Sequence, residues 1–493
     1  MVSNPESRVP PKAVRTLGGI TLLSVGLYLA FSGIYYHFGF PLDDAWIHQT
    51  YARNLAFLGE WSFLPGQPSG GSTAPLWSVL LAIGFWLRLA PYLWTYSLGT
   101  VVLWRLAVLG ESAVRHMACS YRPRFPWVGA ALALEWHLVW AAASGMETLL
   151  FALLTTATLV LIISGSQKYS TLGLLIGLSI WLRPEGVTLL GPAMMMILIS
   201  RPSWRNRLRV GVDLGVSGGS LLALYLLFNL IISGSLLPNT FYAKQVEYLD
   251  YLRLPFLVRL KNEAFPVMKG IGIILLPGLV FTLFLAFRRR SWGVLAAGVW
   301  LVGFLALYAW RLPVTYQYGR YVMPAMPIYF LLGLAGLVEF SNIRGPHWRW
   351  IFSVCWKLSA AGVLVVFWVV GATHYAQDVA YIESEMVATA KWISTDIPPN
   401  ALVAAHDIGA LGYFGGHALV DLAGLVSPDV IPFLRNEERI VAYLDEQGVT
   451  YLVTFPDWYQ HLVSGLSPVF TTGASFAPAF GESNMVVYRW PVR

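Results

Sequence analysis

Long apolar runs separated by short polar clusters make up most of the chain. The first ends near Tyr36 and follows Arg8, Lys12 and Arg15. It is too long for a signal-peptide core and has no small-residue cleavage site, so it predicts a retained signal-anchor. Further runs lie near 94–110, 127–143, 147–164, 170–182, 186–200, 212–233, 266–287, 292–310, 321–339 and 351–372. Each approaches the length that crosses a bilayer, and together they predict about eleven transmembrane helices. One more run, 73–89, is decided by charge. If it crossed, Arg201/Arg205/Arg207/Arg209 and Arg288/Arg289/Arg290 would face outward, against the positive-inside bias. If it only dips into the outer leaflet, those clusters fall inside with Arg115/Arg122/Arg124 and Arg344/Arg349. The second arrangement is the expected one. It makes the N-terminus cytoplasmic and places 38–93, 144–147, 183–185, 234–264, 311–320 and 373–493 outside.

Beyond 372 the pattern changes. Stretches 401–405, 418–422, 450–454 and 485–489 read as strands, and 382–395 and 432–446 have helical spacing with charged faces. Ile397-Pro398-Pro399-Asn400 is a helix stop. The expected fold is a polytopic α-helical membrane protein. A membrane domain would span 1–372, and a small extracytoplasmic α/β domain 373–493.

Composition narrows the class. Of 493 residues, 56% are hydrophobic and 12% charged, with mean hydropathy +0.60, where a soluble domain is about 25% charged. A soluble enzyme, a disordered chain and a secreted disulfide scaffold are excluded. The 21 Trp and 24 Tyr suit membrane–water interfaces. Two cysteines, Cys119 and Cys355, support neither a disulfide framework nor a cysteine metal site. The net charge of +7 is largely topological, so no nucleic-acid partner is expected.

The polar residues of interest fall in the outward segments. Asp43 and Asp44 directly follow the first span. A helix over 44–57 places Asp44, His48 and Tyr51 on one face, with Asp43 as its cap. Paired carboxylates at a helix start are also what the macrodipole favours. Their place at the water–lipid boundary, before the Gly/Pro-rich stretch 59–77, argues for chemistry. Glu135 and His137 sit inside a predicted span, where a carboxylate needs a cavity or a partner such as Arg105.

Ordered motifs then carry a resemblance. Asp43-Asp44-Ala45-Trp46-Ile47 is followed by Arg53-Asn54, Phe63-Leu64-Pro65-Gly66 and Gly71-Ser72-Thr73-Ala74-Pro75-Leu76-Trp77. Next come Ser144-Gly145-Met146-Glu147-Thr148, Leu182-Arg183-Pro184-Glu185-Gly186, Pro238-Asn239-Thr240-Phe241-Tyr242-Ala243-Lys244 and Gly319-Arg320-Tyr321. The last are His406-Asp407-Ile408-Gly409-Ala410-Leu411-Gly412-Tyr413 and Asp421-Leu422-Ala423-Gly424-Leu425. The set resembles the GT-C class of integral-membrane glycosyltransferases, in its polyprenyl-phosphate-sugar-dependent branch that includes the mycobacterial arabinofuranosyltransferase AftB. Ser69-Gly70 stands where the arabinosyltransferase often has an acidic residue, which leaves the sugar open.

The resemblance implies a bacterial plasma-membrane enzyme that moves a sugar from a polyprenyl-phosphate donor to an outer-face glycan, glycolipid or protein. A phosphate is already a good leaving group, so one carboxylate base can serve an inverting displacement. Asp43 is expected as that base, hydrogen-bonding the acceptor hydroxyl, with Asp44 orienting the acceptor, binding a sugar hydroxyl or replacing Asp43 as base. Lys244 and Arg320, flanked by Tyr242 and Tyr321, are expected at the lipid phosphate, although such residues also serve as snorkelling anchors. Arg183 and Glu185 are expected to pair with each other or to brace the site. Glu147, His48, Tyr51, Arg53, Asn239, His406 and Asp407 complete the expected substrate-binding set. No cofactor beyond the lipid-linked donor is expected, and a divalent cation is not favoured, because Lys and Arg can hold phosphate. A lipid-sugar transporter would instead show inverted repeats and mid-membrane polar residues. A non-catalytic envelope-assembly protein would leave Asp43-Asp44 without a role.

Overall fold

A computed structural model describes residues 9–118, 121–200, 203–342 and 347–491. Arg8, Cys119, Arg201 and Arg344 lie outside the described residues. Seven helices are long and apolar enough to cross a membrane: Pro11–Tyr35, Pro91–Met117, Trp204–Ser233, Ile271–Arg288, Trp292–Arg311, Tyr316–Asn342 and His347–Asp396. Three shorter apolar helices, Thr148–Ile163, Tyr169–Leu182 and Pro184–Ile199, occupy three more of the predicted spans. The run at 73–89 forms the helix Pro75–Trp86. Its 12 residues rise about 18 Å, well short of a hydrocarbon core of about 30 Å.

The span predicted at 127–143 is instead two short helices, Trp127–Leu134 and Trp136–Ala143. They break at Glu135, whose carboxylate accepts from the Leu138 amide at 3.1 Å and meets His137 Nδ1 at 2.8 Å. Apolar content predicted one helix, but a side chain that can cap a new first turn interrupts it. Arg105 is not its partner, since that guanidinium stacks on Trp104 at 5.2 Å.

The first loop holds the helix Asp44–Leu58 and a hairpin of β1 (Ser62–Leu64) and β2 (Gln67–Pro68). A five-stranded mixed sheet lies near the C-terminus. Its strands are β3 (Leu402–Ala405), β4 (Ala418–Asp421), β5 (Tyr451–Thr454), β6 (Ser467–Thr471) and β7 (Val486–Arg489), in the order β4-β3-β5-β7-β6. β3 pairs in parallel with β4 and β5, and β7 runs antiparallel to β5 and β6. Strand β6 was not foreseen: it is a largely exposed edge strand without the apolar alternation that marks a buried one. The helix expected at 432–446 is Glu437–Gln447, capped by Asn436, which accepts from the Arg439 amide at 3.0 Å.

The expected boundary at 372 falls inside a helix. His347–Ile382 passes through a π turn, Glu383–Val387, into Ala388–Asp396. Residues 373–396 contain no Gly or Pro to stop it, and it ends at Asp396, just before the foreseen Pro398. Membrane helices, first loop and C-terminal region share one hydrophobic core, in which Trp46 packs against Tyr92, Tyr413 and Phe414.

Candidate active site

The adjacent carboxylates turn in different directions. Asp43 does not cap the helix it precedes, since its side chain makes no capping bond and its backbone is already helical. Its carboxylate instead accepts from the amides of Gly409 and Ala410 at 2.7 and 2.8 Å. Two charge-assisted bonds across the chain outcompete one local cap. Residue 409 must be glycine, because a Cβ there would collide with the Asp43 backbone carbonyl. Burial pushes the Asp43 carboxyl up to about 7, against the two amide donors.

Asp44 points the other way. Its Oδ2 lies 2.6 Å from Arg320 Nη2, and its side chain is 34% exposed to internal space. Burial raises its pKa, but Arg320, Lys244 and His48 outweigh burial and hold it at about 2. Arg320 Nη2 also donates to the Tyr321 hydroxyl at 3.2 Å, and Lys244 Nζ donates to the same oxygen at 2.7 Å. Arg320 is 3% exposed. Among the described residues, its Nε and Nη1 meet no acceptor. The backbone that presents it is strained: Gln317, Tyr318 and Gly319 take φ of 53°, 60° and 72° in succession. Such conformations are costly for bulky residues and tend to mark functional sites.

A second ionic group sits beside the first. Arg183 Nε donates to Glu147 at 2.8 Å, and His48 Nε2 lies 3.5 Å from the other carboxylate oxygen. Of the two roles expected of Arg183 and Glu185, the pair with each other is not formed, because Glu147, nearly fully buried, takes the guanidinium; both still line the site. Burial raises the Glu147 pKa, but Arg183 and His48 bring it well below the carboxylate range. His48 Nδ1 faces Ser78 and Ser72 at 3.1 and 3.2 Å.

Two cavities meet at Asp44. One, of about 410 Å³, has an apolar wall that includes Ile180, Leu222, Leu226 and Leu307. Its polar end holds Asp44, His48, Glu147, Arg183, Glu185, Lys244, Arg320 and Tyr321. The other, of about 960 Å³, is walled by Asp43, Glu247, Tyr248, Tyr316, His406, Asp407 and Trp458 among others. Asp44, Ile47, Lys244, Arg320 and Leu425 line both.

Other expected residues brace this arrangement. The Tyr51 hydroxyl sits 2.6 Å from Ser69 Oγ and accepts from the Gly71 amide at 2.9 Å. A Cβ on Gly71 would press on Val426 and that hydroxyl, and one on Gly70 on Ser233, so the Gly-Gly pair lets the first loop pass close to both the C-terminal region and the 233–239 segment. Arg53 donates to the carbonyls of Tyr413 and Gly412, and Asn239 to that of Leu425. Asp421 ties the Ala423, Leu425 and Val426 amides, fixing the Leu425 turn. His406 Nδ1 meets the Tyr459 hydroxyl at 2.7 Å, and its Nε2 lies 3.8 Å from Glu247. Tyr242 is exposed and lines neither cavity. The residues missed were Glu247, Tyr248 and Tyr316. Glu247 and Tyr248 lie three and four places after Lys244, on one helix face, which was a readable signal. The Tyr248–Tyr316–Tyr321 hydroxyl chain, with steps of 3.1 and 3.3 Å, joins segments far apart in sequence.

Multiple apolar helices, an interrupted first loop rich in short elements and a C-terminal sheet make a multi-pass membrane fold that is GT-C-like by its likeness to solved structures. ArnT from Cupriavidus metallidurans bound to undecaprenyl phosphate superposes with a TM-score of 0.55 at 14% identity, covering 97% of this chain and 98% of that one. Its apo state gives the same TM-score over 96% of this chain. A mutant form of the arabinofuranosyltransferase AftD from Mycobacteria gives 0.52 at 16% identity, covering 98% of this chain but 42% of AftD. The similarity is one of fold, and a specific likeness to AftB is not shown. Residues 365–488 match a domain of unknown function (DUF8728). A sequence comparison with curated proteins gives no match.

Proposed function

We propose that the protein is a membrane glycosyltransferase that takes its sugar from a polyprenyl-phosphate donor and transfers it to an envelope glycan, glycolipid or protein. The observation that carries this reading is the position of Asp44, at the junction of an apolar-walled cavity and a larger polar one. The donor phosphate would sit against Arg320, Lys244 and Arg183, whose Nη1 is also without an acceptor among the described residues, with its lipid along the apolar wall. The acceptor hydroxyl would approach from the polar cavity.

Asp44 is then the base, in the role expected of Asp43, which holds the Gly409–Ala410 turn. The acceptor oxygen bonds to the anomeric carbon as the carbon–phosphate-oxygen bond breaks. The hydroxyl proton passes to Asp44, and the leaving phosphate takes the bond pair onto Arg320 and Lys244. The displacement inverts the anomeric centre. A donor phosphate competes with Asp44 for Arg320, so the carboxylate gains basicity when substrate arrives. In this reading the cations stabilise the developing charge without a metal.

The test is transfer from a panel of radiolabelled polyprenyl-phosphate sugars by the full chain in lipid nanodiscs, with undecaprenyl-phosphate binding measured separately. Transfer by the parent, abolished in Asp44→Asn, supports the reading. Failure to bind the lipid phosphate overturns it.

A further inference from the structure

The two cavities differ in charge. At the polar end of the apolar-walled cavity, Arg183, Lys244, Arg311 and Arg320 face Asp44, Glu147 and Glu185. The polar cavity carries the carboxyls of Asp43, Asp44, Glu247, Asp378, Asp407, Glu437 and Glu482 against Lys244, Arg320 and Arg435. Arg320 pairs with Asp44 and Arg435 with Asp250, while Asp43 accepts from the Gly409 and Ala410 amides, Asp378 from Trp140 and Tyr318, and Glu482 from Tyr381. Aromatic rings stand between the acids: Tyr248, Tyr316, Tyr381, Trp458 and Tyr459 all line this space. Among the described residues, Oδ2 of Asp407 has no hydrogen-bond partner, and neither do Arg320 Nε and Nη1.

Resting on the donor reading above, we infer that the polar cavity binds an acceptor saccharide that carries no anionic group. Aromatic faces hold the C–H faces of a sugar ring, and carboxylates accept from its hydroxyls. Burial pushes the carboxyls of Asp43 and Asp407 up, but a phosphate or carboxylate on the acceptor would still be set against those acids of this space that stay ionised, a like-charge juxtaposition that disfavours it. The same asymmetry sorts the substrates: the anionic donor head is drawn to one side of Asp44 and repelled from the other.

The test uses the full chain in nanodiscs, titrated with a mixed library of neutral arabino-, manno-, galacto- and gluco-oligosaccharides, and with the same library after phosphorylation. Binding is read from Trp fluorescence. The neutral library is expected to bind at least tenfold more tightly than the phosphorylated one. Glu247→Gln and Asp407→Asn should weaken neutral binding. Glu482→Lys, at an exposed rim position, should narrow the gap between libraries. Equal or tighter binding of the phosphorylated library overturns the inference, as does binding of neither. Undecaprenyl-phosphate binding in the same preparation separates the two readings. If it persists while saccharides fail, this inference alone falls. If it too is lost, the donor reading falls.

Discussion

Exchanging each carboxylate of the Asp43-Asp44 pair for its amide separates their roles. Asp44→Asn keeps the shape but cannot take a proton. Loss of a positioned base costs about 10²- to 10⁴-fold in rate, or about 3–5 kcal/mol of barrier. The fold should tolerate the change, because Arg320 keeps its bond to Tyr321 at 3.2 Å and the amide carbonyl can still accept. The shift in Asp44, from 3.8 to about 2, is worth about 1–2 kcal/mol once its partial exposure is discounted. Its folded pKa lies below its unfolded value, so this stability is present above about pH 4 and is lost as pH falls toward 2. Asp43→Asn should behave in the opposite way. An amide oxygen satisfies one of the two donors at Gly409 and Ala410. A buried N–H left without an acceptor costs about 1–3 kcal/mol. Sugar transfer in nanodiscs and thermal unfolding, run on both variants at neutral pH, give the comparison. Turnover above half of parent in Asp44→Asn would refute the reasoning. So would an inactive Asp43→Asn with an unchanged unfolding midpoint, which would return the base role to Asp43.

Other outcomes follow from the same geometry. Arg320→Ala should weaken undecaprenyl-phosphate binding by about 10- to 100-fold, the value of a charge-assisted hydrogen bond, and Arg320→Lys should not restore it because the fork is lost; equilibrium binding checks both. Glu147→Gln should destabilise the fold by about 1–3 kcal/mol, because the amide oxygen can still accept from Arg183 but no longer offsets its buried charge, read as a lower unfolding midpoint in detergent. Because the Glu147 carboxyl is held below its usual range, its support is complete above about pH 4.5 and fades only at lower pH, so unfolding midpoints between pH 6 and 8 should show no step from this group. Gly409→Ala should loosen the C-terminal region through its collision with the Asp43 carbonyl, seen as faster limited proteolysis between residues 397 and 491.

Much of this architecture has a local signature. The helix Asp44–Leu58, four of the five C-terminal strands and the stop at Pro398 each come from periodicity or a breaker within a few residues. The site is less legible because its decisive contacts are long-range. Nothing near Asp43 announces Gly409, and nothing near Arg183 favours Glu147 over the closer Glu185. In both cases the winning partner is the one that satisfies a nearly buried charge in three dimensions. The break at Glu135 was hidden because hydropathy averages over a window, whereas one carboxylate that caps a new turn acts at a single residue.

The continuous helix from His347 to Asp396 has a mechanical consequence. Its 50 residues form a rod of about 75 Å, more than twice the thickness of a hydrocarbon core. The part beyond the apolar stretch carries Tyr381, Ile382 and Met386 into the wall of the polar cavity. Its π turn is clamped to the sheet region through Glu385, which accepts from Asn484 and the Met485 amide. The π turn is where such a rod can bend, and a lean of its membrane part within the lipid would be felt at that wall. A thicker bilayer straightens a spanning helix and a thinner one tilts it. A lever of this length would couple lipid thickness to the width of the site, so acceptor-size preference is expected to change between nanodiscs of short- and long-chain lipids.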